Sequence, residues 1–171
     1  MKPMRRMLGI VLASLFCLGL QCAVSQKLAW QNDAQVKADA HQQVQFLYPE
    51  QVNLVAGKPN VVELHFRVND GLHINSHTPR EKSLIPTQLM VGEPAGVNVA
   101  TVDFPAGTDY SPAFSPNDKL SVYTGEFILR AHVTAQRGDH LVQAALRYQA
   151  CDANSCYPPK TAPVAVSIVA K

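Results

Sequence analysis

Val62, Leu64, Phe66 and Val68 alternate with Glu63, His65 and Arg67, and this period of two constrains the chain more than any other feature. A strand with one face on a core and the other in water has this spacing, because successive side chains leave a pleated strand on opposite sides. The stripe returns three times. Phe127, Leu129, Ala131 and Val133 alternate with Glu126, Arg130 and His132; Val142, Ala144, Leu146 and Tyr148 form a third stripe, and Val164, Val166 and Ile168 a fourth. Shorter strand candidates cover 44–48, 52–56, 87–91 and 97–103. Turn-forming pieces separate them: Ala56-Gly57-Lys58-Pro59, Asn69-Asp70-Gly71, Gly92-Glu93-Pro94 and Arg137-Gly138-Asp139. Seven or more short strands at this spacing, without a long helical period, predict an all-β, two-sheet antiparallel β-sandwich over 44–171. The longest irregular stretch is 104–119, with Pro105, Pro112 and Pro116; a loop of that length is functional or mobile.

The first residues carry a different signal. Lys2, Arg5 and Arg6 precede an apolar run from Met7 to Leu20, and Ala23-Val24-Ser25 places small residues before Gln26. This predicts a secretory signal peptide over 1–25 and a secreted, periplasmic product. The run is shorter than the roughly 20 residues of a membrane span, so no stable membrane insertion is expected. Lipoprotein anchoring at Cys22 is the weaker reading, since Gln21 stands where a small residue should precede a lipidated cysteine. Residues 26–43 read as a polar, Gln-rich lead-in. Lys and Arg number 15 against 13 acidic residues, and Lys2, Arg5 and Arg6 leave with the signal, so 12 basic residues would face 13 acidic ones. That balance argues against nucleic acid as a partner.

Cleavage would also remove Cys17 and Cys22, leaving Cys151 and Cys156 in a compartment where disulfides persist. Asp152, Ala153, Asn154 and Ser155 lie between them, a composition that can close a hairpin. Opposed residues at such a position lie about 4.5 Å apart at Cα, within the range a disulfide accepts. If Tyr148 faces the core, strand parity puts Cys151 on the outer face with Arg147 and Gln149, within reach of a partner thiolate. The competing reading is a structural staple. A ring this short yields only about 2 kcal/mol in the chain-entropy model. Sequence chemistry by itself leaves the redox and structural readings level. Arg147 and Lys160 favour a thiolate, Asp152 opposes it, and the spacing is not Cys-x-x-Cys.

Three segments then carry a resemblance: Leu146-Arg147-Tyr148-Gln149-Ala150-Cys151 with Cys156-Tyr157-Pro158-Pro159; Gly71-Leu72-His73-Ile74-Asn75-Ser76 with Leu84-Ile85-Pro86-Thr87; and Leu120 to Phe127. Together they resemble the N-terminal periplasmic domain of the thiol:disulfide interchange protein DsbD, over about 48–168. The resemblance implies an immunoglobulin-like sandwich whose Cys151 and Cys156 carry the chemistry. They would take electrons from a membrane-embedded donor and pass them to thioredoxin-like disulfide isomerases and cytochrome-maturation proteins. It also implies an aromatic loop capping the disulfide, here around Tyr110 and Phe114. From the residues themselves, Pro158 and Pro159 read as a stiff wall behind Cys156 or a simple strand end, and Tyr157 as lying against the disulfide or packing in the sandwich. The family's best-studied form has one more residue between its cysteines. Its membrane and thioredoxin-like domains are not in this sequence, so the donor is expected to be borrowed. The function expected is a protein-disulfide reductase relay; the alternative is a binding or scaffold sandwich with an inert disulfide.

No cofactor and no metal are expected. His73 and His77 are the closest histidine pair, but positions four apart on a strand sit about 13 Å from each other. His41, His65, His132 and His140 read as solvated surface residues.

Overall fold

The computed structural model describes residues 42–48, 51–113 and 116–171, so the predicted signal peptide, Cys22 and nearly all of the lead-in lie outside it. Twelve strands follow in order: β1 (Val44–Leu47), β2 (Gln51–Leu54), β3 (Asn60–Val68), β4 (His73–Asn75), β5 (Gln88–Val91), β6 (Val97–Asp103), β7 (Thr108–Tyr110), β8 (Leu120–Tyr123), β9 (Glu126–Ala135), β10 (Gly138–Tyr148), β11 (Ala150–Cys151) and β12 (Lys160–Ala170). No helix occurs among the described residues. The architecture is an all-β, immunoglobulin-like sandwich.

Two four-stranded sheets, β1-β3-β9-β6 and β2-β12-β10-β5, supply the layers. Their ladders are antiparallel except where short β2 runs parallel to the end of β12. The apolar stripes read from the sequence are the inner faces. Val62, Leu64, Phe66 and Val68 of β3, Phe127, Leu129, Ala131 and Val133 of β9, and Val164, Val166 and Ile168 of β12 are buried in one cluster. Phe66 stacks on Phe127 at 5.4 Å between ring centroids, and Phe127 on Tyr123 at 4.8 Å. Each buried large apolar side chain contributes about 1.5–3 kcal/mol, so the stripes drive the closure of the sandwich. The outer faces carry cross-strand polar pairs: Arg67 with Glu126, Arg130 Nε with Glu63 Oε1 at 3.0 Å, and His132 Nε2 with Asp103 Oδ2 at 2.7 Å. His132 is thus paired rather than simply solvated. Exposed pairs of this kind add little to stability.

A third, smaller sheet, β11-β4-β8-β7, holds the cysteines. All three residues of β4 are buried, so it shows no alternation. Its backbone and side chains fasten the loops on either side. Asn75 Nδ2 donates to Ile85 O at 3.1 Å, Thr87 Oγ1 donates to Asn75 O at 2.5 Å, and Ser76 Oγ meets Ser121 Oγ at 2.9 Å. Tyr123 donates its hydroxyl to Pro105 O at 2.9 Å and accepts from His77 N at 3.1 Å. Gly107 sits so close to this network that a Cβ would lie 2.2 Å from Ser121 Oγ and 2.8 Å from Ser76 Cβ. Only glycine lets the chain enter β7 there. The segment read as an irregular loop over 104–119 therefore contains a strand: Thr108, Asp109 and Tyr110 pair with Val122, Ser121 and Leu120. Three residues are too few for a period of two to stand out in sequence.

Candidate functional site

Cys151 ends β11, and Cys156 stands opposite it in an isolated antiparallel bridge. The two are disulfide-bonded, with an S–S distance of 1.98 Å and Cα atoms 3.9 Å apart. The loop between them is closed by its own hydrogen bonds. Asp152 N donates to Ser155 O at 2.9 Å, and Tyr157 N to Ala150 O at 2.8 Å. Asp152 Oδ1 accepts from Asn154 N at 2.7 Å and Ser155 N at 2.8 Å, the side-chain turn that Asp favours. Tyr157 donates its hydroxyl to Asp152 Oδ2 at 2.6 Å, and Gln149 Nε2 donates to Tyr157 O at 3.2 Å.

These contacts set the local electrostatics. The Tyr157 hydroxyl and two backbone amides hold the Asp152 carboxyl down to about 2. The same hydrogen bond and the Asp152 charge push the Tyr157 phenol up. Asp152 therefore carries a fixed negative charge beside the disulfide.

The exposure of the two cysteines differs from the sequence expectation. Cys151 is 2 % exposed, whereas Cys156 is exposed. Tyr148 does face the core, but β10 stops there. Gln149 leaves the ladder, and the chain re-enters as β11 beside β4 with Ala150 and Cys151 both buried. Parity counted along one strand fails where the strand changes sheet. The residue open to solvent is Cys156.

Tyr110, at the end of β7, is half-buried, and its ring lies 4.1 Å from that of His73, centroid to centroid. It is outside the core cluster. Phe114 lies outside the described residues. Tyr157 is half-buried against the core edge, and Pro158 is exposed between Tyr157 and β12. His73 and His77 turn to different neighbours: His77 stacks on Phe104 at 3.9 Å. No cluster of three or more metal-ligating side chains occurs among the described residues. Sequence reasoning named His73 in the Gly71–Ser76 segment and as half of a histidine pair but did not place it at the cysteines; it is 4 % exposed and directly opposite Cys151 in the β4–β11 register. Sequence reasoning read Asp152 as a charge and as part of a hairpin-closing composition, but not as the side chain that closes the turn. The Asp-x-Asn-Ser order was the signal for its turn-closing role.

The family model described as thiol:disulfide interchange protein DsbD, N-terminal, matches residues 43–168. The chain belongs to this family. Among solved structures, the N-terminal periplasmic domain of ScsB from Proteus mirabilis aligns with a TM-score of 0.49 at 11% identity, over 67% of this chain and 42% of that one. The Neisseria meningitidis DsbD n-terminal domain in the reduced form aligns with a TM-score of 0.39 at 20% identity, over 66% of this chain and 81% of that one. The chain thus spans less than half of the ScsB domain. No curated protein matches it. As a member of the DsbD N-terminal family it is a domain of the thiol–disulfide interchange class, and a Cys151–Cys156 disulfide lies within the matched residues.

Proposed function

We propose that the chain is a periplasmic thiol–disulfide relay that works through Cys151 and Cys156. The observation that carries this reading is the unequal exposure of one bond: Cys156 is open to solvent and Cys151 is covered. Exchange needs access at one sulfur and a retained second thiol to finish the reaction. A partner thiolate attacks Cys156 Sγ, the S–S bond breaks, and Cys151 leaves as a thiolate while a mixed disulfide forms. In the reducing direction, the Cys156 thiolate attacks a target disulfide and Cys151 resolves the intermediate. The loop hydrogen bonds around Asp152 do not involve the sulfurs, which supports a pair that stays organised when reduced.

The signal-peptide pattern of 1–25 supports export, with the product working outside the cytoplasm. By the family's class, the partners are thioredoxin-like isomerases, cytochrome-maturation proteins and a membrane electron donor. Tyr110 and Tyr157 are supporting residues in this reading, and Pro158 stiffens the exit from Cys156. A reduction potential above about −300 mV is the expected outcome of equilibration with glutathione or dithiothreitol. A potential below that value, with no mixed disulfide formed by either single-cysteine variant, would make this a sandwich with a structural staple.

A further inference from the structure

His73 is a buried titratable side chain that these exchange steps do not use. It stands directly across the β4–β11 ladder from Cys151, and the two are 4 % and 2 % exposed. Opposed residues of an antiparallel pair project to the same side of the sheet, with Cβ atoms about 4.5–5.5 Å apart. An imidazole and a thiol rooted at that spacing can meet.

Exchange creates charge at this covered position. Attack on Cys156 Sγ sends the S–S electron pair to Cys151 Sγ, and water reaches that sulfur poorly. A desolvated anion is costly unless a counter-charge or donor faces it.

We propose that His73 is the proton partner of Cys151: it takes a proton from solvent as the Cys151 thiolate forms, and imidazolium and thiolate then hold each other as a buried pair. The donor dithiol's second thiolate next attacks the donor sulfur of the mixed disulfide. Cys156 leaves as a thiolate, the donor ends as a disulfide, and two electrons have passed. In the other direction the Cys151 thiolate attacks Cys156 Sγ within a mixed disulfide with the target. The Cys151–Cys156 bond re-forms, the target thiolate departs, and His73 returns its proton to solvent.

The surroundings fit this role. In the disulfide form, burial holds the His73 imidazole below its ordinary value, and the Asp152 charge works against that. The neighbouring titratable groups are Asp152 from the cysteine loop, Tyr110 from β7, and Asp70 from the turn before β4, which lines the same hollow. Tyr123 of β8 is engaged with Pro105 O. Asp152 stays ionised through the neutral range, since its carboxyl is held at about 2. Reduction frees both sulfurs, and of the two it is Cys151 that stands opposite His73 in the ladder.

The steps rest on the exchange reading, but the proton partnership can be read with a chemical reductant and no partner protein. NMR titration of the His73 ring in the oxidised protein and after dithiothreitol is the test, with Cys17 and Cys22 replaced by Ser. The midpoint should rise on reduction by at least about one pH unit, a tenfold change in affinity for the proton. The Cys156→Ser variant should retain the raised midpoint and Cys151→Ser should lose it. In the Cys156→Ser background, His73→Gln should shift the ultraviolet thiolate titration of Cys151 upward by a similar amount. An unchanged His73 midpoint on reduction, or an equal rise in Cys151→Ser, would overturn the proposal even if mixed disulfides still form. Failure to form mixed disulfides with an intact His73 shift would overturn only the exchange reading.

Discussion

Tyr157 hydrogen-bonds Asp152 at 2.6 Å, tying the first residue after the disulfide to the first residue inside its ring. With the amide bonds from Asn154 and Ser155, this contact closes the loop without help from sulfur. Thiols held together in the reduced state have less entropy to lose when they bond, so the loop favours the disulfide.

Tyr157→Phe and Asp152→Ala should therefore make the pair easier to reduce. The expected change is a less negative reduction potential, by about 30 mV for each tenfold loss in the equilibrium constant for ring closure. Redox equilibration followed by alkylation and mass analysis measures it. An unchanged potential in both variants would mean that the sulfurs, not Asp152, organise the loop.

Acid should loosen the same loop. The Asp152 carboxyl is held at about 2 against an ordinary 3.8, so its contribution to stability is present above the ordinary value. It is lost as pH falls from there through the folded value, because protonation then costs the folded state its acceptor. His73 acts higher up. Its folded value is lowered by burial from 6.5, so stability is full above that pH and declines as pH falls through it. Thermal midpoints against pH should show both limbs. Asp152→Asn should flatten the lower limb, and His73→Gln the upper.

In the relay reading, unequal exposure makes Cys156 the attacking cysteine. Cys151→Ser, which keeps exposed Cys156, should trap partners from a periplasmic extract as mixed disulfides released by reductant. Cys156→Ser should trap few, since Cys151 is covered. Either change should cost only about 2 kcal/mol of stability, the short-ring figure. Trapping by Cys156→Ser alone would reverse the assignment.

In the relay reading Tyr110 shields the site by way of His73, from whose ring its own lies 4.1 Å. Tyr110→Ala should speed reduction of the disulfide by a small thiol several-fold, with little change in thermal midpoint. Leu129→Ala, in the core and 0 % exposed, provides the contrast: about 2–5 kcal/mol of destabilisation. Stopped-flow reduction beside thermal melts of both variants measures the difference. A Tyr110→Ala loss as large as that of Leu129→Ala would make Tyr110 a packing residue.

The stripes in 61–68, 126–133, 142–148 and 164–168 determined four long strands and their inward faces, because half-burial writes a period of two directly into side-chain choice. Cys151 and Cys156 were determined as a pair in the same way, by spacing and loop composition. Tertiary structure decided what depends on contacts between distant segments. Strands β4 and β7, three residues each, carry no readable period, the first because it is buried throughout. The break at Gln149 moves the chain from β10 to a partner some 75 residues earlier in sequence, β4, and so covers Cys151 and sets His73 opposite it. Sequence periodicity reports which side of a strand meets a core. It does not report which strand arrives on that side, and here that arrival decides which cysteine is buried.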